Sequence, residues 1–341
     1  MPENIYNFTE ETLAQRLTSL GEPSYRARQI MKGLYSSNLK KFSEFTTLPK
    51  VLRQKLESLF SLVNLQPIDV IRSIDGTTKF LWQLEDGKKI ESVIIYEGKR
   101  VTFCISSQVG CALDCKFCAT GKMGIIRNLT AGEIIEQVLL MKEQSTRPPT
   151  NIVFMGMGEP FLNYDAVLQA ADILSDPQGL CFSRKRITIS TSGIIKQIYR
   201  FTDEKRPYSL AISLNAANQD MRARIMPVSR KYTLEQLLEA ARYYTKNSGK
   251  RITFEYVLID GLNASEDDAR RLVKITHGIP CKINIIPCNS DDPLYRPPAW
   301  ETVKQFDRIV NESRRTVTIR NRKGWDIRAA CGQLYAAHQN A

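Results

Sequence analysis

Three cysteines lie within eight residues of this chain, and their spacing is the sequence pattern that most directly indicates chemistry. Cys111, Cys115 and Cys118 follow one another as Cys-x3-Cys-x2-Cys in SSQVGCALDCKFCATG, with no fourth cysteine or histidine close behind. A structural zinc site takes four protein ligands, commonly as two pairs. Three thiolates in one loop instead suit a cubane iron–sulfur cluster that leaves one iron open to an outside ligand. The spacing favours such a cluster over the alternative, a zinc knuckle with a distant fourth ligand.

The composition indicates a folded enzyme with an anionic partner. The 341 residues are 43% hydrophobic, enough for one main domain and a smaller one. The formal net charge of +12 favours a phosphate-bearing partner, with a solvated basic surface as the alternative. We expect no signal peptide, because the first fifteen residues hold no basic patch followed by an apolar stretch, and no membrane span, because no run of eighteen apolar residues occurs. The eight clustered cysteines predict a reducing, cytoplasmic location.

Positive charge is concentrated near the end of the chain. Six basic residues fall within fifteen positions, and only Asp326 opposes them there: Arg314, Arg315, Arg320, Arg322, Lys323 and Arg328. A second basic cluster occupies residues 184–186. Such clusters can neutralise backbone phosphates without reading sequence. We predict that the C-terminal run is a loop facing RNA, with a solvated face as the alternative.

The hydrophobic pattern predicts two kinds of organisation. Apolar residues at three- and four-residue spacing predict helices over 10–20, 24–35 and 50–60, and residues 65–96 predict short strands with hairpin turns. From residue 100, strands alternate with helices, the first of which begins with a Thr130/Glu133 capping box. The six strands are predicted at 101–106, 151–155, 186–190, 209–214, 252–258 and 282–286. Six strand–helix repeats imply parallel strands with right-handed crossovers, in a barrel or part of one.

Polar or glycine-bearing loops follow five of these strands. Barrel enzymes place their active sites at the carboxyl ends of the strands, so these loops should share one mouth. They are the three-cysteine loop, Gly156 to Pro160, Ser190 to Gly193, Ser213 to Asn215, and Pro287 to Asn289. Each loop taken alone is ordinary, but their common position predicts one binding site.

Five motifs in order resemble one enzyme family over almost the whole chain. SQVGCALDCKFCATG, MGMGEP, STSG, CKINIIP and AACGQL are similar to the motifs of the radical S-adenosylmethionine (SAM) RNA adenine methyltransferases, the RlmN and Cfr group. The resemblance implies an α/β fold, a partial (β/α)6 radical-SAM barrel with a small, mainly helical N-terminal accessory domain. We expect an RNA-binding accessory domain at 1–60, a small β segment at 61–96, the barrel at 97–326, and a tail at 327–341.

The resemblance also implies roles for individual residues. Cys111, Cys115 and Cys118 would hold a 4Fe–4S cluster. Cys331, in AACGQL, would carry a methyl group, Cys104 would help to release the product, and Glu91 would accept a proton. For Glu91 the alternative is an ordinary exposed strand residue. Positions that bind SAM in the family correspond to Gly158, Glu159, Ser190, Ser213, Leu214, Asn215 and Asn289.

The family chemistry implies the following expectations. Two SAM molecules are consumed per turnover, because one methylates Cys331 and the second is cleaved on the cluster. A disulfide between Cys104 and Cys331 then forms as the methylated base leaves. The expected partners are 23S rRNA at the peptidyl-transferase centre, tRNA as a second substrate, and an electron donor such as flavodoxin or ferredoxin. We expect a monomer.

The chain departs from the family pattern at three positions. Asn215 stands where the family usually has histidine, Arg328 replaces an acid before the methyl-carrying cysteine, and Ser290 replaces a proline. Arg328 would favour the Cys331 thiolate or bind an RNA phosphate. Pro160 resembles the RlmN branch, which methylates carbon 2 of adenine, whereas the Cfr branch methylates carbon 8. The sequence also leaves open a radical-SAM enzyme with a non-RNA substrate and a zinc-dependent RNA-binding protein without enzymatic activity.

Overall fold

The N-terminal part of the chain folds as three helices, as the sequence predicts. A computed structural model describes residues 2–313, 315–320 and 322–336. Two short parallel strands, β1 (Glu3–Asn4) and β2 (Phe60–Ser61), bring the two ends of this part together. Between them lie α1 (Glu10–Ser19), α2 (Arg26–Tyr35) and α3 (Lys50–Leu59). The apolar face of each helix is buried against the other elements, which explains the observed spacing.

Three antiparallel strands follow and join the main sheet of the protein. They are β3 (Gln66–Arg72), β4 (Thr78–Gln83) and β5 (Lys89–Glu97). The predicted turns are present, with Gly76 and Gly87 at φ values of 85° and 77° that favour glycine. Because β5 pairs with the first barrel strand, these strands continue the barrel sheet.

The barrel strands run parallel in chain order, which confirms the predicted partial barrel. They are β6 (Arg100–Ile105), β9 (Asn151–Phe154), β10 (Ile187–Thr191), β11 (Ser209–Ser213), β12 (Ile252–Leu258), β13 (Cys281–Pro287) and β14 (Thr316–Ile319). The complete sheet has ten strands in the order β14-β13-β12-β11-β10-β9-β6-β5-β4-β3. A separate two-stranded sheet, β7 (Gln108–Gly110) with β8 (Ile125–Asn128), lies in the first crossover.

Helices lie in the connections between the parallel strands. They are α4 (Ala119–Lys122), α5 (Ala131–Gln144), α6 (Tyr164–Ser175), α7 (Ile195–Asp203), α8 (Gln219–Ile225), α9 (Leu234–Ser248), α10 (Glu266–Ile275) and α11 (Trp300–Asn311). The capping box of Thr130 and Glu133 is present at the start of α5. Among the described residues, no helix is both long enough and apolar enough to span a membrane.

The prediction of a C-terminal basic loop is wrong for part of its length. Residues 316–319 form β14, a seventh parallel strand, and Arg315 beside it donates to Thr276 Oγ1 at 2.6 Å and to the Val273 carbonyl at 3.2 Å. The alternation of threonine with valine and isoleucine in TVTI is typical of a strand, but the surrounding arginines obscured it. Arg314 lies outside the described residues.

A buried glutamate joins the N-terminal helices to the barrel. Glu136 on α5 is fully buried, and its carboxylate accepts hydrogen bonds from Asn4 Nδ2 at 2.6 Å, from the Asn64 amide at 2.9 Å and from the Leu65 amide at 2.6 Å. Burial raises the pKa of Glu136 to about 7, while these donors oppose the rise. One side chain therefore fixes the start and the end of the N-terminal part against the barrel.

Replacing this glutamate should destabilise the protein. Glu136→Ala leaves two buried amides and the Asn4 side chain without their acceptor, which should cost about 2–4 kcal/mol. Glu143→Ala is the matched control, since Glu143 lies on the same helix and also bridges to the N-terminal part through Lys40, but at a partly exposed pair worth about 0–1 kcal/mol. Urea unfolding followed by circular dichroism measures both values. Equal losses in the two variants would contradict the role of Glu136 in this attachment.

Candidate active site at the mouth of the barrel

The three-cysteine loop begins where β7 ends and is held by tight backbone packing. Gly110 has a φ of 77°, and a Cβ atom there would lie 1.9 Å from the Gly124 carbonyl oxygen. The Cys111 amide donates to that same oxygen at 2.8 Å. Farther along, the Cys118 amide donates to the Cys115 carbonyl at 3.0 Å. Glycine at position 110 is therefore required for the loop to close on itself.

The three thiols of this loop suit a metal cluster. All three are free and partly exposed. Burial raises the pKa of Cys111 to about 12 and that of Cys115 well above its usual range, so positive charge is needed to hold them as thiolates. Among the described residues, no three acidic, histidine or cysteine side chains converge as around a single metal ion. A cubane iron–sulfur cluster does not require the three sulfur atoms to converge on one point, because each thiolate binds a different iron.

Arg222, which no sequence pattern predicts as a site residue, ties together the loops beside the cysteines. Its fully buried guanidinium donates to the Leu214 carbonyl at 3.0 Å, to the Ser192 carbonyl at 2.7 Å and to the Ser213 carbonyl at 3.2 Å. Its charge also lowers the pKa of Cys115, against the larger effect of burial. Nothing in the surrounding sequence distinguishes this arginine from an ordinary helix surface residue.

The GMGEP loop after β9 packs directly against the loop after β6. At Gly158, where φ is 100°, a Cβ atom would lie 2.6 Å from Gln108 Cβ. The Gln108 side chain accepts a hydrogen bond from the Glu159 amide at 2.8 Å. The Glu159 carboxylate in turn accepts from the Ser192 amide at 2.7 Å and from the Phe161 amide at 3.0 Å. Burial raises the pKa of Glu159, although these amides favour its charged form.

The residues predicted to bind SAM all lie at the carboxyl ends of the parallel strands. Gly158 and Glu159 follow β9, Ser190 is on β10, Ser213 ends β11 and is followed by Leu214 and Asn215, and Asn289 follows β13. The topology therefore brings every predicted position to the same mouth.

Asn215 uses its side chain within the protein. Its φ of 58° is a left-handed conformation that asparagine tolerates better than most residues. Its Oδ1 accepts from the Val257 amide at 2.9 Å, and its Nδ2 approaches Met226 Sδ at 3.2 Å. Asn263 Nδ2 donates to its carbonyl at 2.6 Å. Its own amide donates to the Glu255 carbonyl at 3.3 Å, so both its backbone and its side chain hold the loop to the neighbouring elements.

The segment that carries Cys331 is seated on the cysteine loop. The Ala119 amide donates to the Gly332 carbonyl at 2.8 Å, and Thr120 Oγ1 donates to the Leu334 carbonyl at 2.6 Å. Asn289 Nδ2 donates to the Cys331 carbonyl at 3.3 Å. Residues distant in sequence from the three cysteines are thereby placed beside them.

Cys331 and Cys104 lie close enough to influence each other. Burial raises the pKa of Cys104 to about 12, and the neighbouring Cys331 raises it further. Although Cys331 is exposed, desolvation by the surrounding protein raises its pKa to about 11. The half-buried guanidinium of Arg320 opposes the rise at both thiols. Arg328 instead pairs with Asp291 at 3.2 Å, so the cation that favours the thiolate is Arg320.

Glu91 is buried beside the same segment. Only 4% of the residue is exposed, so the alternative of an ordinary exposed strand residue is wrong. Its carboxylate pairs with Lys79 Nζ at 3.0 Å and accepts from the Tyr335 amide at 2.8 Å. Its own amide approaches Met157 Sδ at 3.2 Å, which places Glu91 against the GMGEP loop.

Comparison with known proteins agrees with this geometry. The profile of the Radical SAM superfamily matches residues 105–273, and that of the Ribosomal RNA large subunit methyltransferase N-terminal domain matches residues 3–62. The Dual-specificity RNA methyltransferase RlmN of Anaeromyxobacter sp. (strain Fw109-5) is 45% identical over 96% of this chain and 89% of its own length. The chain belongs to the RlmN family of radical-SAM RNA methyltransferases.

Two further proteins match this chain over nearly their full length. The Dual-specificity RNA methyltransferase RlmN of Syntrophobacter fumaroxidans is 43% identical over 99% of both chains. The crystal structure of a radical SAM methyltransferase from Sphaerobacter thermophilus superimposes with a TM-score of 0.94 at 42% identity, over 98% of this chain and 100% of that one. Membership in the family implies a 4Fe–4S cluster and SAM, which the three free thiols and the glycine-lined loops fit.

The glycine at position 110 should be essential for cluster binding. Gly110→Ala places a methyl group against a backbone oxygen and should abolish most of the iron and sulfide bound after anaerobic reconstitution. Gly124→Ala is the control, because Gly124 also has a positive φ of 68° but meets no atom within 4 Å. It should retain most of the cluster. Iron analysis and visible absorption measure both, and equal cluster content in the two variants would contradict the steric requirement at Gly110.

Proposed function

We propose that this protein methylates carbon 2 of an adenosine in 23S rRNA, at the peptidyl-transferase centre, and of an adenosine in tRNA, through an S-methylated Cys331. The observation that carries this proposal is the seating of Cys331. Backbone and side-chain hydrogen bonds hold its segment on the three-cysteine loop, and Cys331 is near enough to Cys104 to raise the pKa of that thiol. An enzyme that did not pass a methyl group through cysteine would have no need for this arrangement. The dual-specificity names of the relatives support two RNA substrates.

The cofactor sites follow from the same geometry. Cys111, Cys115 and Cys118 would hold the cluster, and the loops after β9, β10, β11 and β13 would hold SAM. A bound cluster supplies the electron that cleaves SAM, with flavodoxin or ferredoxin as the proposed donor. Glycine at 158 lets the backbone approach a ligand closely, and Glu159 presents a carboxylate suited to an amino group.

The first step requires a nucleophilic thiolate at Cys331. The sulfur attacks the methyl carbon of one SAM, a new carbon–sulfur bond forms, and S-adenosylhomocysteine leaves. The thiol proton must be lost first, and Arg320 favours that loss because its charge partly opposes the effect of desolvation, which raises the pKa of Cys331. A second SAM per turnover is consumed in activating the methyl group, since carbon 2 of adenine does not undergo simple displacement.

Later steps use Glu91 and Cys104. Once carbon is joined to the ring, Glu91 accepts the ring proton, and its place against the GMGEP loop supports this role. Cys104 then attacks the Cys331 sulfur as a thiolate, so that a sulfur–sulfur bond forms as the sulfur–carbon bond to the base breaks. The released carbon takes up a proton to become the new methyl group, and the single electron taken up for SAM cleavage would be given back. Both cysteines are free thiols in this structure, and the proposed disulfide belongs to the end of the cycle.

The accessory part of the chain supports RNA as the substrate. We propose the domain bounds 1–60, 61–96, 97–326 and 327–341, of which the last five residues lie outside the described part. The N-terminal domain would bind the RNA by recognising its shape, while an unstacked adenosine enters the mouth of the barrel. Its match to a ribosomal RNA methyltransferase N-terminal domain favours this role.

The nature of the product tests the proposal. Purified protein with a reconstituted cluster, a reductant and SAM should convert 23S rRNA and tRNA so that mass spectrometry of nucleosides detects 2-methyladenosine. An 8-methyladenosine product would retain the cysteine mechanism and establish the Cfr-like alternative instead. SAM cleavage with no methylated adenosine in either RNA would overturn the proposal.

Two cysteine variants separate the proposed roles. Cys331→Ala should lose RNA methylation by at least about a thousandfold while it retains reductive SAM cleavage, because only the methyl carrier is removed. Cys104→Ala should still form the bond to RNA but fail to release it, so a protein–RNA adduct should appear on a denaturing gel. Cys181→Ala is the control and should behave as the parent, because Cys181 is exposed and precedes β10, at the end of that strand away from the mouth. An adduct in Cys331→Ala would contradict the assignment.

A further inference from the structure

An exposed tryptophan stands close to the methyl-carrying cysteine. Trp325 precedes Cys331 by six residues, and 52% of it is exposed to solvent. One face of the indole is covered by the Arg322 guanidinium, whose carbon lies 4.9 Å from the ring centroid. An exposed aromatic ring backed by a cation is an arrangement used to stack nucleobases.

The local backbone presents this ring in a fixed position. Trp325 begins a short 3-10 helix, Trp325–Ile327, and the helix is anchored to the turn between β3 and β4. The Gly324 amide donates to Asp75 Oδ2 at 3.0 Å, and Asp326 accepts from Ser73 Oγ at 2.6 Å and from the Ile74 amide at 3.2 Å. The residues on either side of Trp325 are therefore both hydrogen-bonded to this turn. The indole itself is not part of the hydrophobic core.

A chain of direct contacts joins the ring to the methyl carrier. Arg322 Nε donates to Asn289 Oδ1 at 2.9 Å, and Asn289 Nδ2 donates to the Cys331 carbonyl at 3.3 Å. Trp325, Arg322, Asn289 and Cys331 are therefore consecutive neighbours along one edge of the mouth. A nucleotide next to one that reaches Cys331 would pass this edge.

The charge at this edge suits a phosphate backbone. Within the described part of the chain, no carboxylate lies within ion-pair distance of Arg322. Lys323 and Arg328 add positive charge, although Asp75 and Asp291 partly offset it. The indole offers a stacking face, and the guanidinium beside it has no carboxylate partner among the described residues and can bind an anion. This combination matches a single-stranded nucleotide better than an apolar protein surface.

We propose that Trp325 is a stacking platform for a nucleobase adjacent to the target adenosine, with Arg322 supporting the ring and facing the RNA backbone. The proposal rests on the proposed RNA substrate and deepens it, because it assigns a binding contact to this chain's own residues. Stacking of a flanking base would hold the RNA strand open beside the mouth, so that the target adenosine stays out of its stack while it reaches Cys331.

Binding of a short RNA tests this assignment. The probe is a fluorescently labelled RNA hairpin that carries the 23S rRNA target adenosine in its loop, measured by anisotropy at fixed salt. Trp325→Ala should weaken binding about tenfold or more, and Trp325→Phe should keep most of the affinity because a ring remains. Tyr243→Ala is the control for loss of a partly exposed aromatic, since Tyr243 lies near the end of α9, at the opposite end of the barrel.

Turnover of the same RNA identifies the step affected. Trp325→Ala should raise KM for RNA with little change in kcat, and S-methylation of Cys331 by SAM, which needs no RNA, should proceed as in the parent. Unchanged affinity in Trp325→Ala would overturn the platform, as would an equal loss in Trp325→Phe. If the parent binds RNA through Trp325 but yields no methyladenosine, the proposed function fails while the platform stands.

Discussion

The hydrogen bond from the Ala119 amide to the Gly332 carbonyl is the contact on which the site most depends. Ala119 directly follows the last of the three cysteines, and Gly332 directly follows Cys331. This single backbone contact, with its neighbour from Thr120 to Leu334, fixes the distance between the three-cysteine loop and Cys331. The two segments are more than two hundred residues apart in sequence, so the rest of the barrel must be formed correctly before they can meet.

The barrel supports that contact with charges that are buried at considerable cost. Arg222 and Glu159 are both buried. Their charges are tolerated there because backbone groups at the strand ends form hydrogen bonds with them. Each joins two loops that would otherwise be independent. The mouth is thus held by polar groups that a purely apolar core could not replace, since only directed hydrogen bonds determine where each loop ends.

The sequence predicted the features that depend on local spacing. These features are the three cysteines, the turn at Gly76 and the alternation of strands with helices. Each is indicated by residues that lie close together in the sequence, and the structure contains all of them. Arg222 and β14 were missed for a different reason. A lone arginine has no local signal that its three acceptors will be carbonyls from two other strands, and β14 is too short and too closely flanked by charge to be recognised. Their roles exist only in the folded chain.

Arg320, and not the predicted Arg328, is the cation that acts on Cys331, because the fold overrides proximity in sequence. Arg328 is only three residues from the thiol, but it pairs with Asp291 and has a left-handed φ of 52°. Arg320 is eleven residues away, yet it follows β14 directly and its amide is anchored to the Ile285 carbonyl at 2.8 Å, which brings its charge near both Cys331 and Cys104. A parallel sheet places residues by strand register, so the cation that matters to the thiol is set by β14 pairing with β13.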